Sequence, residues 1–188
     1  MLTNEQLKAI VPQISDNALA TYVPLLNNAF EKYFINTSER QRCFIAETAH
    51  ESDSFNAVKE YGTGKEYEGR QDLGNTEPGD GVKFKGRGLI QVTGKRNYEL
   101  CSLFIFGDRR LLEEPDTLEQ PEYALESACW YWTRNQLNEI CDKDDLWVHV
   151  WKNRPYNRFE WLTVKINGGL NGYASRLSFY NRAKEVLV

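Results

Sequence analysis

The sequence predicts a mainly α-helical chain with very little sheet, and three observations carry that expectation. Apolar residues recur at helical spacing, most clearly at Leu19, Tyr22, Leu26, Ala29 and Tyr33. Helix start and stop residues punctuate the chain from Thr3 to Asn167-Gly168-Gly169. Only one run, Leu89-Ile90-Gln91-Val92-Thr93, has the alternation of a strand, closed by Gly94.

The first helix is signalled by Thr3 as cap, Gln6 returning the capping bond, and Leu2 stapled to Leu7; it stops near Pro12. Asp16 is positioned to cap the second, in which Pro24 should cause a kink or a restart. Thr37 or Ser38, followed by Glu39, opens a third helix through Phe44, Ile45 and Ala49 towards Ser52. Between Gly62 and Gly88, eight of 27 residues are glycine, so this stretch is irregular; Tyr61, Tyr67 and Phe84 anchor it as a binding wall. A helix over Tyr98 to Phe106 follows, then a central core helix carrying Tyr123, Leu125, Ala128, Cys129 and Trp132. Asp144 or Asp145 starts another helix, interrupted at Arg154-Pro155 and resumed from Phe159 to Ile166, and Ser175 to Leu187 forms the last. The length suits a single domain over residues 1–188 without internal repeats.

With 41% hydrophobic and 27% charged residues, the composition excludes a disordered chain and a membrane-spanning one. The start, MLTNEQLKAIV, shows no signal peptide, and no apolar run is long enough for stable membrane insertion. Cys43, Cys101, Cys129 and Cys141 are widely spaced and only two histidines accompany them, so reduced thiols are expected, three of them buried, and no metal or other cofactor. The net charge of -4 argues against nucleic acid as a partner. Charge is nevertheless uneven: residues 113–145 hold ten acids and two bases, whereas residues 151–188 hold seven bases and two acids. That last segment either faces an anionic polymer or is a solvated helix surface.

Glu47, His50 and Glu51 share one face of the third helix, an expensive use of a packed surface. Glycosidic bond cleavage needs an acid to protonate the leaving oxygen and, when configuration inverts, a second carboxylate to activate water. Glu51, near the end of a helix packed through Phe44 and Ile45, suits the first task; Glu60, nine residues on, suits the second. Gln91, Thr93 and Asn97 form a polar set able to hold a sugar, and Tyr61, Tyr67 and Trp130 to Trp132 offer rings for stacking. Arg70 and Asp72 are expected to pair within the glycine-rich stretch.

Taken together, AETAHES, the following Glu60, FKGRGLIQVTGKRNYE and VKINGGLNGYASRLSFY resemble the family 19 glycoside hydrolases, a chitinase-like group that includes many phage endolysins. The resemblance covers essentially the whole chain. It implies a lysozyme-like, two-lobed helical fold with a small β element around the GRG block. It places Glu51 at the general-acid position and Glu60 at the general base, with Glu68 a rival for the base and Thr63 helping to hold the attacking water. Gln91, Thr93 and Asn97 match positions that contact sugar or water, and Asn167 matches the asparagine of the N-G-G turn. Arg176 matches a late arginine in the charge network behind the base, while His50 orients the helix or a neighbouring carboxylate. The carboxyl groups of an inverting pair are expected about 6.5–9.5 Å apart.

The expected partner is the glycan strand of peptidoglycan, cut by a monomeric endolysin that stays in the host cytoplasm until a separate holin releases it to the wall. An endochitinase and a non-catalytic glycan-binding domain are the alternatives.

Overall fold

The computed structural model describes residues 1–188, and nine α-helices with one β-hairpin make up its regular structure. In α1 (Asn4–Ile10) the capping box is present in both directions: Thr3 Oγ1 accepts from the Gln6 amide at 3.2 Å and Gln6 Oε1 from the Thr3 amide at 2.9 Å. The stapling residues Leu2 and Leu7 are both buried. Ser15, not Asp16, caps α2 (Asp16–Lys32). Pro24 does not break α2, because it lies on the exposed face, where the Ala20 carbonyl it leaves without an amide partner is open to water.

The interior is one apolar cluster of 40 buried residues. Two helices organise it. Helix α3 (Ser38–Glu51), capped by Thr37, buries every residue from Cys43 to Ala49 and packs along α9 (Tyr173–Val186). Helix α6 (Pro121–Arg134) joins the lobes: it packs on α2 and on α5 (Lys95–Phe106), and its Trp132 meets Phe44 of α3 edge-on at 5.0 Å. All four cysteines are buried and unpaired.

The glycine-rich stretch folds into two 3-10 turns, Lys65–Tyr67 and Gln71–Leu73, and the short α4 (Asp80–Lys83). Buried Asn75 fixes it, donating to the Tyr67 carbonyl and accepting from the Lys95 amide that opens α5, both at 2.9 Å. The expected Arg70–Asp72 pair forms, with Nε to Oδ1 at 2.9 Å. Of the three expected anchors, Phe84 is buried and Tyr67 partly so, but Tyr61 projects into solvent at 87% exposure.

The expected strand at Leu89–Thr93 is a turn. Arg87 and Val92 bridge each other, and residues 88–91 reverse the chain between them with positive φ at Gly88 and Gln91. Close packing imposes this: a Cβ at residue 88 would overlap the Ser127 hydroxyl of α6, so glycine is required twice over, by space and by conformation. Arg87 is nearly buried and holds the turn through Glu119 (2.8 Å), Asp116 (2.6 Å) and the Tyr98 hydroxyl (3.0 Å).

The sheet lies elsewhere, at β1 (Val148–Trp151) and β2 (Arg154–Asn157), where a helix from Asp144 or Asp145 was expected. Lys152 and Asn153 both take positive φ, a reversal suited to a two-residue hairpin loop. The aromatic side of β1 packs on Trp161 of α8 (Arg158–Asn167), with His149 stacked on that indole at 3.8 Å. Between α6 and the hairpin lies α7 (Leu137–Cys141). No helix is long and apolar enough to cross a membrane.

Candidate active site

Glu51 ends α3, and Arg176, one turn into α9, reaches across to it. The guanidinium is 1% exposed and divides itself between two carboxylates, Nη1 on Glu47 and Nη2 on Glu51. Glu47 is fully buried and also accepts a hydrogen bond from the Thr163 hydroxyl of α8 at 2.8 Å. Burial drives the Glu47 carboxyl up to about 7, against the opposing pull of Arg176 and Thr163 and with a smaller push from the charge of Glu51. One cation therefore serves two carboxylates. Glu51 is its one solvent-facing member, with its side chain 19% exposed.

This corrects the expected place of Arg176, which stands behind Glu51 and not behind Glu60. Glu47 is the participant that sequence reasoning left without a role. Its signal was readable on α9, where Arg176 begins an i, i+3, i+4, i+7 stripe completed by buried Phe179, Tyr180 and Ala183. An arginine in that stripe needs a buried anion opposite it.

His50 packs against the turn entering α9, where a Cβ at Gly172 would overlap the imidazole. Burial lowers the His50 pKa, the Arg176 charge adds to the effect, and the Glu51 charge opposes it. Asn167 ends α8 and braces the same turn through Gly169 and Asn171 carbonyls at 3.5 and 3.4 Å.

Glu60 lies between the end of α3 and the 3-10 turn Lys65–Tyr67. Lys59 bridges Arg87, the Glu60 amide donates to the Gly86 carbonyl at 3.0 Å, and the carboxylate accepts from the Gly86 amide at 2.7 Å and the Tyr67 hydroxyl at 2.9 Å. Gly86 is the point of closest approach: a Cβ there would lie 2.9 Å from Gln91 Oε1 and 3.3 Å from the Glu60 carboxyl carbon. Glycine thus lets Glu60 and Gln91 converge. Gln91, Thr93 and Asn97 then line a single cavity of about 180 Å³ with Trp130, Tyr131 and Ile166. These polar groups are chained, Asn97 donating to the Thr93 carbonyl at 2.8 Å and Thr93 to the Gln91 carbonyl at 2.9 Å. Tyr131 connects the two halves, because it lines this cavity, feels the charge of Glu51, and donates to the Lys165 carbonyl at 2.8 Å.

Three expected site residues fall outside this constellation. The Glu68 carboxylate is engaged by the Gly79 and Gly81 amides, which makes it a loop brace. Thr63 is exposed, its only side-chain hydrogen bond being a long one from the Lys65 amide at 3.4 Å. Tyr61 is solvent-exposed, as noted above. No group of three or more His, Cys, Asp or Glu is placed to hold a metal ion.

Two separately braced carboxylates, Glu51 and Glu60, together with a polar cavity lined by rings, are the residue types that glycoside hydrolysis uses. Residues 33–187 match the model of a glycoside hydrolase family described as chitinase class I. A glycosyl hydrolase family 19 domain-containing protein of Haemophilus influenzae is 30% identical over 172 residues, covering 75% of this chain and 76% of that one. An endochitinase of Arabidopsis thaliana is 29% identical over 160 residues; the match covers 81% of this chain and half of that protein's length. Among solved structures, chitinase C from Streptomyces griseus shares the fold with a TM-score of 0.70 at 20% identity, over 98% of this chain and 76% of that one. A class IV chitinase from Zea mays does so at 0.68 and 16%, over 99% and 92%. The chain belongs to glycoside hydrolase family 19 and is a chitinase-like glycoside hydrolase.

Proposed function

We propose that the chain hydrolyses β-1,4 bonds in the glycan strands of bacterial peptidoglycan, as an endolysin, by inversion at the anomeric carbon. The observation that carries the reading is the pair of separately braced carboxylates, Glu51 on the Arg176–Glu47 cluster and Glu60 on Gly86 and Tyr67. Glu51, the solvent-facing member of its cluster, protonates the leaving oxygen. Glu60, kept as an acceptor by two donors, takes a proton from water on the opposite face of the sugar. Gln91, Thr93 and Asn97 orient the N-acetylhexosamine, and Asn167 supports the facing wall.

Charge favours peptidoglycan over a neutral glycan. The wall polymer carries carboxylates on its stem peptides, and Lys152, Arg154, Lys165 and Lys184 are exposed on the basic C-terminal segment. A second reading, an endochitinase acting on N-acetylglucosamine chains, is favoured by the plant relatives, which bear that name.

Digestion of purified peptidoglycan and of chitin oligomers, with mass spectrometry of the new reducing-end sugar, separates the two. The proposal expects cleavage of the wall polymer, falling as salt rises. Cleavage of chitin oligomers alone would establish the second reading. In the same assay Glu60→Gln should be inactive and Glu68→Gln active, provided that it folds; the reverse result would move the base.

A further inference from the structure

We propose that Tyr67 is a positioning residue for the reaction, a hydroxyl held on the glycine-rich segment that fixes the orientation of the Glu60 carboxylate as a hydrogen-bond acceptor. The inference rests on Glu60 being the base and says what makes it one.

The Tyr67 hydroxyl donates to Glu60 Oε2 at 2.9 Å while the Gly86 amide donates to Oε1 at 2.7 Å, so each oxygen has one fixed donor. Tyr67 itself is not free to drift. Its carbonyl accepts from Asn75, which is fully buried and also takes the Lys95 amide, tying the ring to the start of α5. The phenol stays a donor across the working range, since burial first and the Glu60 charge second raise it to about 12.

The other charged groups near Glu60 do not duplicate this role. Glu66, on the same 3-10 turn, is an anion near Gly62 and has no proton donor to offer. Lys85 spends its ammonium on the Gly62 carbonyl at 2.8 Å, and Lys59 pairs with Glu119 at 2.7 Å. Arg70 is paired with Asp72, and the neighbours from the turn after Arg87 are the neutral Gln91 and a backbone amide. Tyr67 is thus the one side chain that donates to the Glu60 carboxylate.

Donors to an ionised carboxylate favour the charged form, so removing one makes the charged form harder to keep. Tyr67→Phe retains the ring and deletes only the donor. The acidic limb of kcat/KM should move up by about one pH unit, so that activity at a pH below the limb falls about tenfold while the loss on the alkaline side is smaller. A ring needed only for sugar stacking would leave Tyr67→Phe with the wild-type profile, and a purely structural role would lower activity evenly at all pH in step with a lower Tm. Either result overturns the inference. Glu60→Gln, measured alongside, separates the two levels: if it keeps wild-type turnover, the base assignment falls and this inference with it. If Glu60→Gln is inactive but the Tyr67→Phe limb stays in place, only the role of Tyr67 is lost.

Discussion

Glu51→Gln should lower kcat by about a thousandfold, within the range that positioned acid catalysis supplies, while leaving the fold and glycan binding in place. The amide is nearly isosteric with the acid and still accepts a hydrogen bond from Arg176, so the cluster keeps its geometry. What disappears is the acid group at the one member of the cluster that reaches solvent. Steady-state turnover together with pull-down on insoluble glycan measures both halves of the claim. A variant that binds but does not cleave shows that Glu51 is needed for the chemistry. Retained turnover would mean that Glu51 is a structural partner of Arg176 and that the acid lies elsewhere. Binding without turnover in both proteins would instead mark the chain as a glycan-binding domain.

Arg176→Met should be the most destabilising single change at the site, costing about 3–5 kcal/mol, because it strands Glu47 in the interior without its cation. For a chain of this size that corresponds to a fall in Tm of roughly 6–20 °C. The cost depends on pH, and its sign follows from linkage. In the folded wild type burial pushes the Glu47 carboxyl up to about 7, above its ordinary value of 4.5, so the folded state holds more protons than the unfolded one between those limits. Its contribution to stability is present below about 4.5 and is lost as pH rises towards about 7. Without Arg176 the carboxyl moves further up and the loss extends to higher pH. Thermal melts of both proteins at pH 5 and pH 8 should therefore show a larger gap at pH 8. A gap that is constant or larger at pH 5 would show that Glu47 is ionised throughout and held by its pairing alone.

The helices were legible because their signals are local. Thr3 with Gln6, Thr37, Asn167 with Gly168, and the stripe from Leu19 to Tyr33 each act within a turn or two of where they are written. The hairpin was missed although it has a period of two, with Trp147, His149 and Trp151 alternating with Leu146, Val148 and Val150. Asp144 and Asp145 resemble helix caps, and the reversal is made by Lys152-Asn153, a pair without the glycine that normally marks such a loop. The run Leu89–Thr93 misled in the opposite sense. Its apolar residues are buried as a strand's would be, but Gly88 pressed against Ser127 folds them into a turn.

At the site, the motifs brought out Glu51, Glu60, Gln91, Thr93 and Asn97 as candidates, since each lies in a dense local block. What was not legible is what each carboxylate leans on. Glu47 and Arg176 meet across 129 positions, and Tyr67 reaches Glu60 only because Asn75 and α5 fix the intervening segment. Glu68 was a rival to Glu60 for the base, and what sequence could not show is that its carboxylate is taken up by the amides of Gly79 and Gly81.

The mechanism is tested most directly by the anomer released first. Proton NMR recorded during the opening minutes of hydrolysis of a β-1,4-linked N-acetylhexosamine oligomer, before mutarotation, should show the α-anomer at the new reducing end, because a water activated by Glu60 attacks from the face opposite Glu51. Initial release of the β-anomer would mean net retention and would contradict an account built on two carboxylates acting from opposite sides of the sugar.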